Sequence, residues 1–194
     1  MEKKKVDLIN RFSAKRLALM AVFVALSYVV SWFDFPIFPA VPFLELDFGN
    51  VFILLISFLL GPMEGVIVCV LKESLRMIGG TVVGELANMM ITCSFILVPA
   101  IVYQFKKGLK WVVPCLAIAC VIATGVALLT NRFINFPLYA YLSGGDILGM
   151  TVEEAFSRYW LAVLLFNLIK TVAVSLLTVL LYKRLSNFLK RWKI

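Results

Sequence analysis

The chain has 194 residues, of which 62% are hydrophobic and only 15% are charged, and its mean hydropathy is +0.99. A soluble domain of this size is about half apolar and about a quarter charged, so a soluble enzyme or regulator is excluded. The net charge is +8, and there is no histidine, the commonest metal ligand and the easiest general base.

Six apolar runs predict an all-α, polytopic membrane protein with six transmembrane helices, since a bilayer core needs roughly 20 apolar helical residues per span. The runs cover residues 17–33, 48–60, 63–78, 86–105, 111–130 and 159–182. The second and third are short, and Gly61-Pro62 between them predicts an antiparallel hairpin. The first run follows a basic segment, but no small-residue cleavage site follows it, so we interpret it as a retained helix and not as a signal peptide.

We expect one transmembrane domain, with a basic N-terminal segment (1–16), a six-helix bundle (17–182) and a basic tail (183–194). With the N-terminus inside, fourteen basic residues lie on cytoplasmic segments and three on external ends. This positive-inside bias predicts that both termini are cytoplasmic. Basic residues at the ends of apolar runs suit a lipid bilayer surface better than nucleic acid.

This topology places two sizeable loops outside, 34–47 and 131–158, so a ligand from solution is expected to bind from outside. The second loop contains Thr151-Val-Glu-Glu154. That capping-box pattern predicts the start of a helix leading into the last span.

The last span carries a polar pair, Asn167 and Lys170, which share one helix face because they are three residues apart. Lys170 lies roughly 18 Å of helical rise from Arg158, and burying its ammonium costs at least ~2.5 kcal/mol without a polar cavity or a partner. A structural pair with Glu73 or Glu85 is one interpretation. We favour the other, a pair of donors in a ligand cavity.

The fourth run opens with a polar stripe, Glu85, Asn88 and Thr92, on an otherwise apolar helix. The stripe lies at the outer end, so it either belongs to the ligand site or forms hydrogen bonds between helices. The sequence leaves both interpretations open.

The third run contains Lys72, Glu73 and Arg76. We interpret these charges as structural, with snorkelling cations and a local pair between Glu73 and Arg76.

The first run carries small-residue ridges, in which Ala14 precedes Ala18 and Ala21 precedes Ala25 by four positions. Such ridges allow close approach of another helix, from the same chain or from another subunit.

The sequence lacks the motifs of an enzyme. It has no phosphate-binding Gly-x-x-x-x-Gly-Lys loop, no Gly-x-Ser-x-Gly elbow and no paired-carboxylate motif for magnesium. The four cysteines lie in apolar runs without zinc spacing, which favours small apolar residues over disulfides. We expect no catalytic residue, no metal and no cofactor. Six spans are also few for a self-sufficient secondary transporter.

Several segments together resemble a known family. They are Ala21-Val-Phe-Val-Ala25, Phe43-Leu-Glu-Leu-Asp47-Phe-Gly-Asn50, Gly61-Pro62, Gly84-Glu-Leu-Ala-Asn88, Asn131-Arg-Phe-Ile-Asn-Phe-Pro-Leu-Tyr139 and Phe166-Asn-Leu-Ile-Lys170. Over nearly its whole length the chain resembles a substrate-binding S-component of the energy-coupling factor (ECF) vitamin transporters. The last two segments resemble the riboflavin-specific branch.

This resemblance implies a six-helix bundle in the bacterial plasma membrane that binds riboflavin from outside with high affinity. Delivery would need a transmembrane coupling subunit and two cytosolic ATPases, which use the ATP. Riboflavin would be transported cargo and not a cofactor.

The resemblance also implies roles for individual residues. Asn131, Asn167 and Lys170 match positions that hydrogen-bond the flavin, and Phe43 and Leu44 would lie over its ring as a lid. Ala21 and Ala25 match the face that docks on the coupling subunit. The predicted substrate-binding residues are thus Asn131, Asn167, Lys170, Phe43 and Leu44, together with Glu85 and Asn88 of the polar stripe. The predicted docking residues are Ala21 and Ala25.

Two alternatives remain from the sequence. The chain could be an S-component for a different vitamin or precursor, although a positively charged ligand would sit badly beside Lys170. It could also be a small membrane enzyme or assembly protein whose polar stripe is structural.

Overall fold

The structure is a computed structural model that describes residues 13–79, 82–147 and 149–191. Its helices are α1 (Ala14–Val30), α2 (Asn50–Leu59), α3 (Pro62–Gly79), α4 (Val82–Phe105), α5 (Leu109–Thr130), α6 (Phe136–Leu142) and α7 (Val152–Arg191). A π-helical turn, Asn131–Asn135, joins α5 to α6 without a break. Two short antiparallel strands, β1 (Phe35–Pro36) and β2 (Glu45–Leu46), pair within the segment between α1 and α2.

The prediction of an all-α bundle with six helical segments is confirmed over these described ranges, with α5, the π-helical turn and α6 counted as one segment. Three of the described segments are long and apolar enough to cross a bilayer: Val82–Phe105, Lys110–Leu142 and Val152–Tyr182. Their outward faces carry large apolar side chains such as Val121, Leu176 and Leu180. Residues 1–12 of the predicted N-terminal segment (1–16) and residues 192–194 of the predicted tail (183–194) lie outside the described residues.

Residues 131–142, which the sequence analysis assigned to an external loop, are instead helical and extend α5. Pro137 does not break this helix, because it lies in the first turn of α6, where its missing N–H is tolerated. The π-helical turn directly before it widens the helix at this point. Beyond this extension, the capping box at the start of α7 is confirmed, since Thr151 N donates to Glu154 Oε2 at 2.8 Å and Glu154 N donates to Thr151 Oγ1 at 3.3 Å.

The hairpin of α2 and α3 turns at Gly61, whose φ of 130° favours glycine, and α3 begins at Pro62. The two helices then run very close together. A Cβ added at Gly65 would lie 2.5 Å from the Cβ of Ser57, so the packing requires glycine there. Short α2 lies at the centre of the bundle, with Ile53, Leu54 and Ile56 fully buried.

The bundle has two ends, named here by what they carry. The turn end carries the turns at Gly61 and Gly108, the start of α1 and the C-terminal part of α7. The cavity end carries the segment 31–49 between α1 and α2, together with the π-helical turn and α6.

Candidate ligand-binding site

A cleft opens at the cavity end between the segment 31–49, helices α3, α4 and α7, and the π-helical turn with α6. It contains about 770 Å³ of space not occupied by atoms, including its open mouth. The cleft is open at its mouth and concave, and its lining combines apolar surface with a few polar groups, as is typical of small-molecule sites.

All seven residues predicted for substrate binding line this cleft. They are Phe43, Leu44, Glu85, Asn88, Asn131, Asn167 and Lys170. The further lining residues are Asp34, Glu45, Asp47, Arg76, Gly84, Ala87, Ile91, Asn135, Tyr139 and Phe166. The walls thus combine aromatic and aliphatic surface with amides and charged groups. Whether each of the seven binds a ligand remains a prediction.

Lys170 pairs with a carboxylate, as the structural interpretation expected, but the partner is Asp47. Its Nζ donates to Asp47 Oδ2 at 2.7 Å and to Asn88 Oδ1 at 3.2 Å. The suggested partners Glu73 and Glu85 are therefore wrong, because Asp47 lies closer at the end of β2. The ammonium still borders the open cleft, so the pair does not fill the space beside it.

Asp47 is buried, yet it is held in its charged form. Burial alone would raise its pKa, but the adjacent charges of Lys170 and Lys72 outweigh burial and lower the pKa of Asp47 below its ordinary value. A hydrogen bond from the backbone N–H of Gly49, at 2.9 Å, acts in the same direction. The result is an ionised carboxylate at the base of the segment 31–49, which lines the cleft.

Lys72 and Glu73 are almost completely buried, at 1% and 0% exposure. Lys72 Nζ contacts both carboxylate oxygens of Glu73 at 3.0 Å, and Asn88 Nδ2 donates to Glu73 Oε1 at 2.6 Å. The expected snorkelling of Lys72 is therefore wrong. Its charge is stabilised by acidic partners inside the bundle, where losing one partner is strongly destabilising.

Arg76 does not pair with Glu73 as expected, because Glu73 faces Lys72 and Asn88. Its guanidinium donates instead to Glu85 at 3.0 Å, to Asp34 at 2.7 Å and to the carbonyl of Ser31 at 2.7 Å. Arg76 thereby joins α3 to α4 and to the segment that follows α1.

The polar stripe of α4 makes hydrogen bonds between helices along its whole length. Glu85 meets Arg76, Asn88 meets Glu73 and Lys170, and Thr92 Oγ1 accepts from Asn50 Nδ2 at 2.9 Å. The structural interpretation therefore holds for all three stripe residues. Glu85 and Asn88 also border the cleft, so they keep their predicted place at the ligand site.

The amides of Asn131 and Asn167 are fixed by their own helices. Nδ2 of Asn131 donates to the carbonyl of Ala127, and Nδ2 of Asn167 donates to the carbonyl of Val163, each at 2.8 Å. Each bond orients its side chain beside the cleft. Asn131 is also the first residue of the π-helical turn, an irregularity that is frequent at functional sites.

The segment predicted as a lid packs against the helices that border the cleft. Phe43 is 46% exposed and makes an edge-to-face contact with Tyr159, at 5.6 Å between ring centroids. Leu44 is buried in an apolar cluster with Val163 and Phe166 of α7. The lid residues are thus adjacent to the cleft, while their action on a ligand remains a prediction.

The predicted docking residues Ala21 and Ala25 are exposed on α1, as are Ala14 and Ala18. Within the described part of the chain, these small side chains are left uncovered by neighbouring helices. The ridge is thus available to a partner outside this chain.

Sequence reasoning missed several lining residues, above all Asp34, Asp47 and Arg76. Each of these is a charged residue in a largely apolar stretch of the sequence, and Asp47 closely follows the predicted lid residues Phe43 and Leu44. What the sequence did not show was the partner, since Asp47 and Lys170 are 123 positions apart.

Comparison with known proteins agrees with this fold. The family model described as "ECF transporter, substrate-specific component" matches residues 15–182. The chain is 34% identical over 185 residues to the riboflavin transporter RibU of Staphylococcus aureus, covering 94% of this chain and 96% of that protein. It is 24% identical over 184 residues to the riboflavin transporter FmnP of Bacillus subtilis, covering 91% and 95%.

A solved structure of the S component of a bacterial ECF transporter superimposes with a TM-score of 0.77 and 33% identity. The match covers 91% of this chain and 98% of the other. The matched residues include the helices that form the cleft. The chain is therefore a membrane protein that belongs to the substrate-specific components of the ECF transporters.

Proposed function

We propose that the protein is the high-affinity riboflavin-binding subunit of an ECF-type, ATP-driven vitamin importer. Relatives that align over nearly the full length are named riboflavin transporters. The observation that carries the proposal is the meeting of Asn131, Asn167 and Lys170 around one open cleft. These three residues come from two helices and were selected from the sequence for contact with a flavin.

The chemistry of the cleft suits riboflavin, which has a flat apolar ring system, a polar pyrimidine edge and a hydroxyl-rich ribityl chain. Phe43, Leu44, Ile91 and Phe166 supply apolar wall surface beside the polar groups. Lys170 has three N–H donors and uses two of them on Asp47 and Asn88. Its third N–H would donate to a flavin oxygen, which requires no negative charge on the ligand.

A titration of purified protein tests this proposal directly. Protein purified in detergent should be yellow or should quench the fluorescence of added riboflavin with a saturable response. Thiamine and pyridoxine serve as controls for other vitamins. Colourless protein that ignores riboflavin but binds one of these controls would establish a different S-component specificity.

We infer that uptake also needs a transmembrane coupling subunit and two cytosolic ATPases, in a bacterial cell membrane with both termini of this chain on the cytoplasmic side. The protein itself would catalyse no reaction, and riboflavin would pass through it unchanged as cargo. The exposed ridge of α1, with Ala21 and Ala25, supports docking on the coupling subunit.

Replacing Ala21 and Ala25 together by Leu tests the docking face. Riboflavin binding should persist, while assembly with the coupling subunit and uptake by cells should be lost. Ala117→Leu is a matched control, because Ala117 is an exposed alanine on α5. Normal uptake by the double variant would place the docking face elsewhere.

A further inference from the structure

Two buried side-chain oxygens lack a hydrogen-bond partner within the described residues, Oδ1 of Asn50 and Oδ1 of Asn135. Asn50 is the first residue of α2 and is only 6% exposed. Its Nδ2 donates a hydrogen bond to Oγ1 of Thr92, at 2.9 Å. A buried acceptor without a donor lowers the stability of the fold, so Asn50 needs a functional explanation.

Asn50 borders a small hollow between α2, α4 and α7. The hollow shares Asn88, Asn167 and Lys170 with the larger cleft, so the two spaces adjoin each other. It has room for about one water-sized group. The free acceptor of Asn50 thus lies where a polar edge of a ligand in the cleft would reach.

Among the described residues, no donor that lines the hollow reaches Oδ1 of Asn50. Thr171 Oγ1 donates to the carbonyl of Asn167 at 2.7 Å, and Lys170 donates to Asp47 and Asn88. The unmet acceptor therefore calls for a donor from outside the chain. An apolar edge would leave it unpaired, and an anionic group would be repelled by it.

We propose that Asn50 is a ligand-contacting residue that accepts a hydrogen bond from a neutral N–H or O–H donor of the bound flavin. This inference rests on the proposed riboflavin specificity. A flavin has two sources of such a donor, the imide N–H of its ring and the hydroxyls of its ribityl chain. Either donor could pair with Oδ1 of Asn50, and ligand analogues that lack one or both donors distinguish between them.

The test compares wild type with Asn50→Ala on three ligands. Riboflavin has both donors, lumiflavin keeps only the imide N–H, and 3-methyllumiflavin has neither. Asn50→Ala should weaken riboflavin binding about tenfold, the loss expected for one buried hydrogen bond, and should leave 3-methyllumiflavin binding unchanged. An equal loss for lumiflavin assigns the imide as the donor, and no loss for lumiflavin assigns the ribityl chain.

Asn50→Asp keeps an acceptor at the same position and should retain most of the riboflavin affinity. Ser57→Ala, on the same helix but away from the cleft, controls for a general disturbance of α2. Unchanged riboflavin affinity in Asn50→Ala overturns the inference. So does an equal loss for all three ligands, which indicates a structural role.

Failure of the proposed function is a different result, because the wild-type protein would then bind no riboflavin at all. If Asn50→Ala does not fold, the comparison is made with Asn50→Ser, whose shorter side chain withdraws the acceptor from the hollow. Equal affinity of wild type for riboflavin, lumiflavin and 3-methyllumiflavin would show that no donor is needed, which overturns the role of Asn50. A loss in Asn50→Ser that is confined to the ligands with a donor supports it.

Discussion

At the turn end, α2, α4 and α7 meet through the rings of Phe58, Tyr103 and Tyr182, whose centroids lie 5.1–6.2 Å apart. At the cavity end, the same three helices meet around Asn50, Asn88 and Lys170 beside open space. One contact set is closed and mainly apolar, while the other is polar and incompletely filled.

This difference shows how a small membrane protein separates its stability from its binding site. Aromatic packing needs no partner from outside, so the turn end is complete in the free protein. The cavity end instead buries charges that stabilise one another, as Lys72 does with Glu73 and Lys170 with Asp47. Such pairs hold polar groups in place beside a cleft, although each depends on both partners.

The largest expected effect comes from breaking the charge network at the cavity end. Lys72→Met leaves Glu73 buried without its cation, which should lower the free energy of unfolding by about 3–5 kcal/mol. Equilibrium unfolding in detergent measures this loss. Adding Glu73→Leu to Lys72→Met should recover most of the stability, because the unpaired charge is then removed.

Arg132→Met is the control for that variant. Arg132 pairs with Glu153 at 2.8 Å, but the two side chains are 30% and 81% exposed. Loss of an exposed pair should cost at most about 1 kcal/mol. If Lys72→Met cost no more than Arg132→Met, the buried network would contribute nothing special to the cavity end.

A variant at the turn end should affect stability alone. Phe58→Ala removes a buried ring between α2, α4 and α7 and should lower the free energy of unfolding by about 3 kcal/mol. The riboflavin affinity of the folded fraction should stay at the wild-type value. Phe105→Ala is the matched control, since Phe105 is 81% exposed, and weaker binding by Phe58→Ala would show that the two ends are coupled.

Variants at the cleft should weaken binding, and Lys170→Ala should also lower stability because it leaves buried Asp47 without its nearest cation. Asn131→Ala and Lys170→Ala should each weaken riboflavin binding by about 1–3 kcal/mol, the cost of leaving buried partners unpaired. Fluorescence titration measures both affinities. Thr178→Val is a suitable control, because Thr178 makes a similar bond to the carbonyl four residues earlier but lies toward the turn end. Wild-type affinity in either cleft variant would remove that residue from the site.

The smallest effect concerns pH. The pKa of Asp47 is lowered in the folded protein from its ordinary value of 3.8, so its charged form stabilises the fold. That contribution is fully present from about pH 5 upward and is lost as the pH falls toward the lower pKa of the folded state. Stability should therefore show no dependence on Asp47 between about pH 5 and 8, and Asp47→Asn should remove part of the decline in acid. An equal acid decline in both proteins would contradict this.

Much of the bundle follows from local sequence. The apolar runs predicted the six helical segments, and Gly61-Pro62 predicted the hairpin between α2 and α3. Thr151 and Glu154 predicted the start of α7. The error at 131–142 arose because the apolar run ends at Thr130, whereas the helix continues through polar Asn131, Arg132 and Asn135. Asn167 and Lys170 were found because two polar residues on one face of an apolar helix are costly without a cavity or a partner.

The sequence by itself determined the membrane class, the helices and which polar side chains needed an explanation, because these depend on hydropathy and spacing along the chain. Only the tertiary structure decided the partners. It joined Lys170 to Asp47, Arg76 to Asp34 and Asn50 to Thr92. Each of these contacts joins elements more than 40 positions apart, and a helix reveals which face is polar but not which distant side chain will meet it.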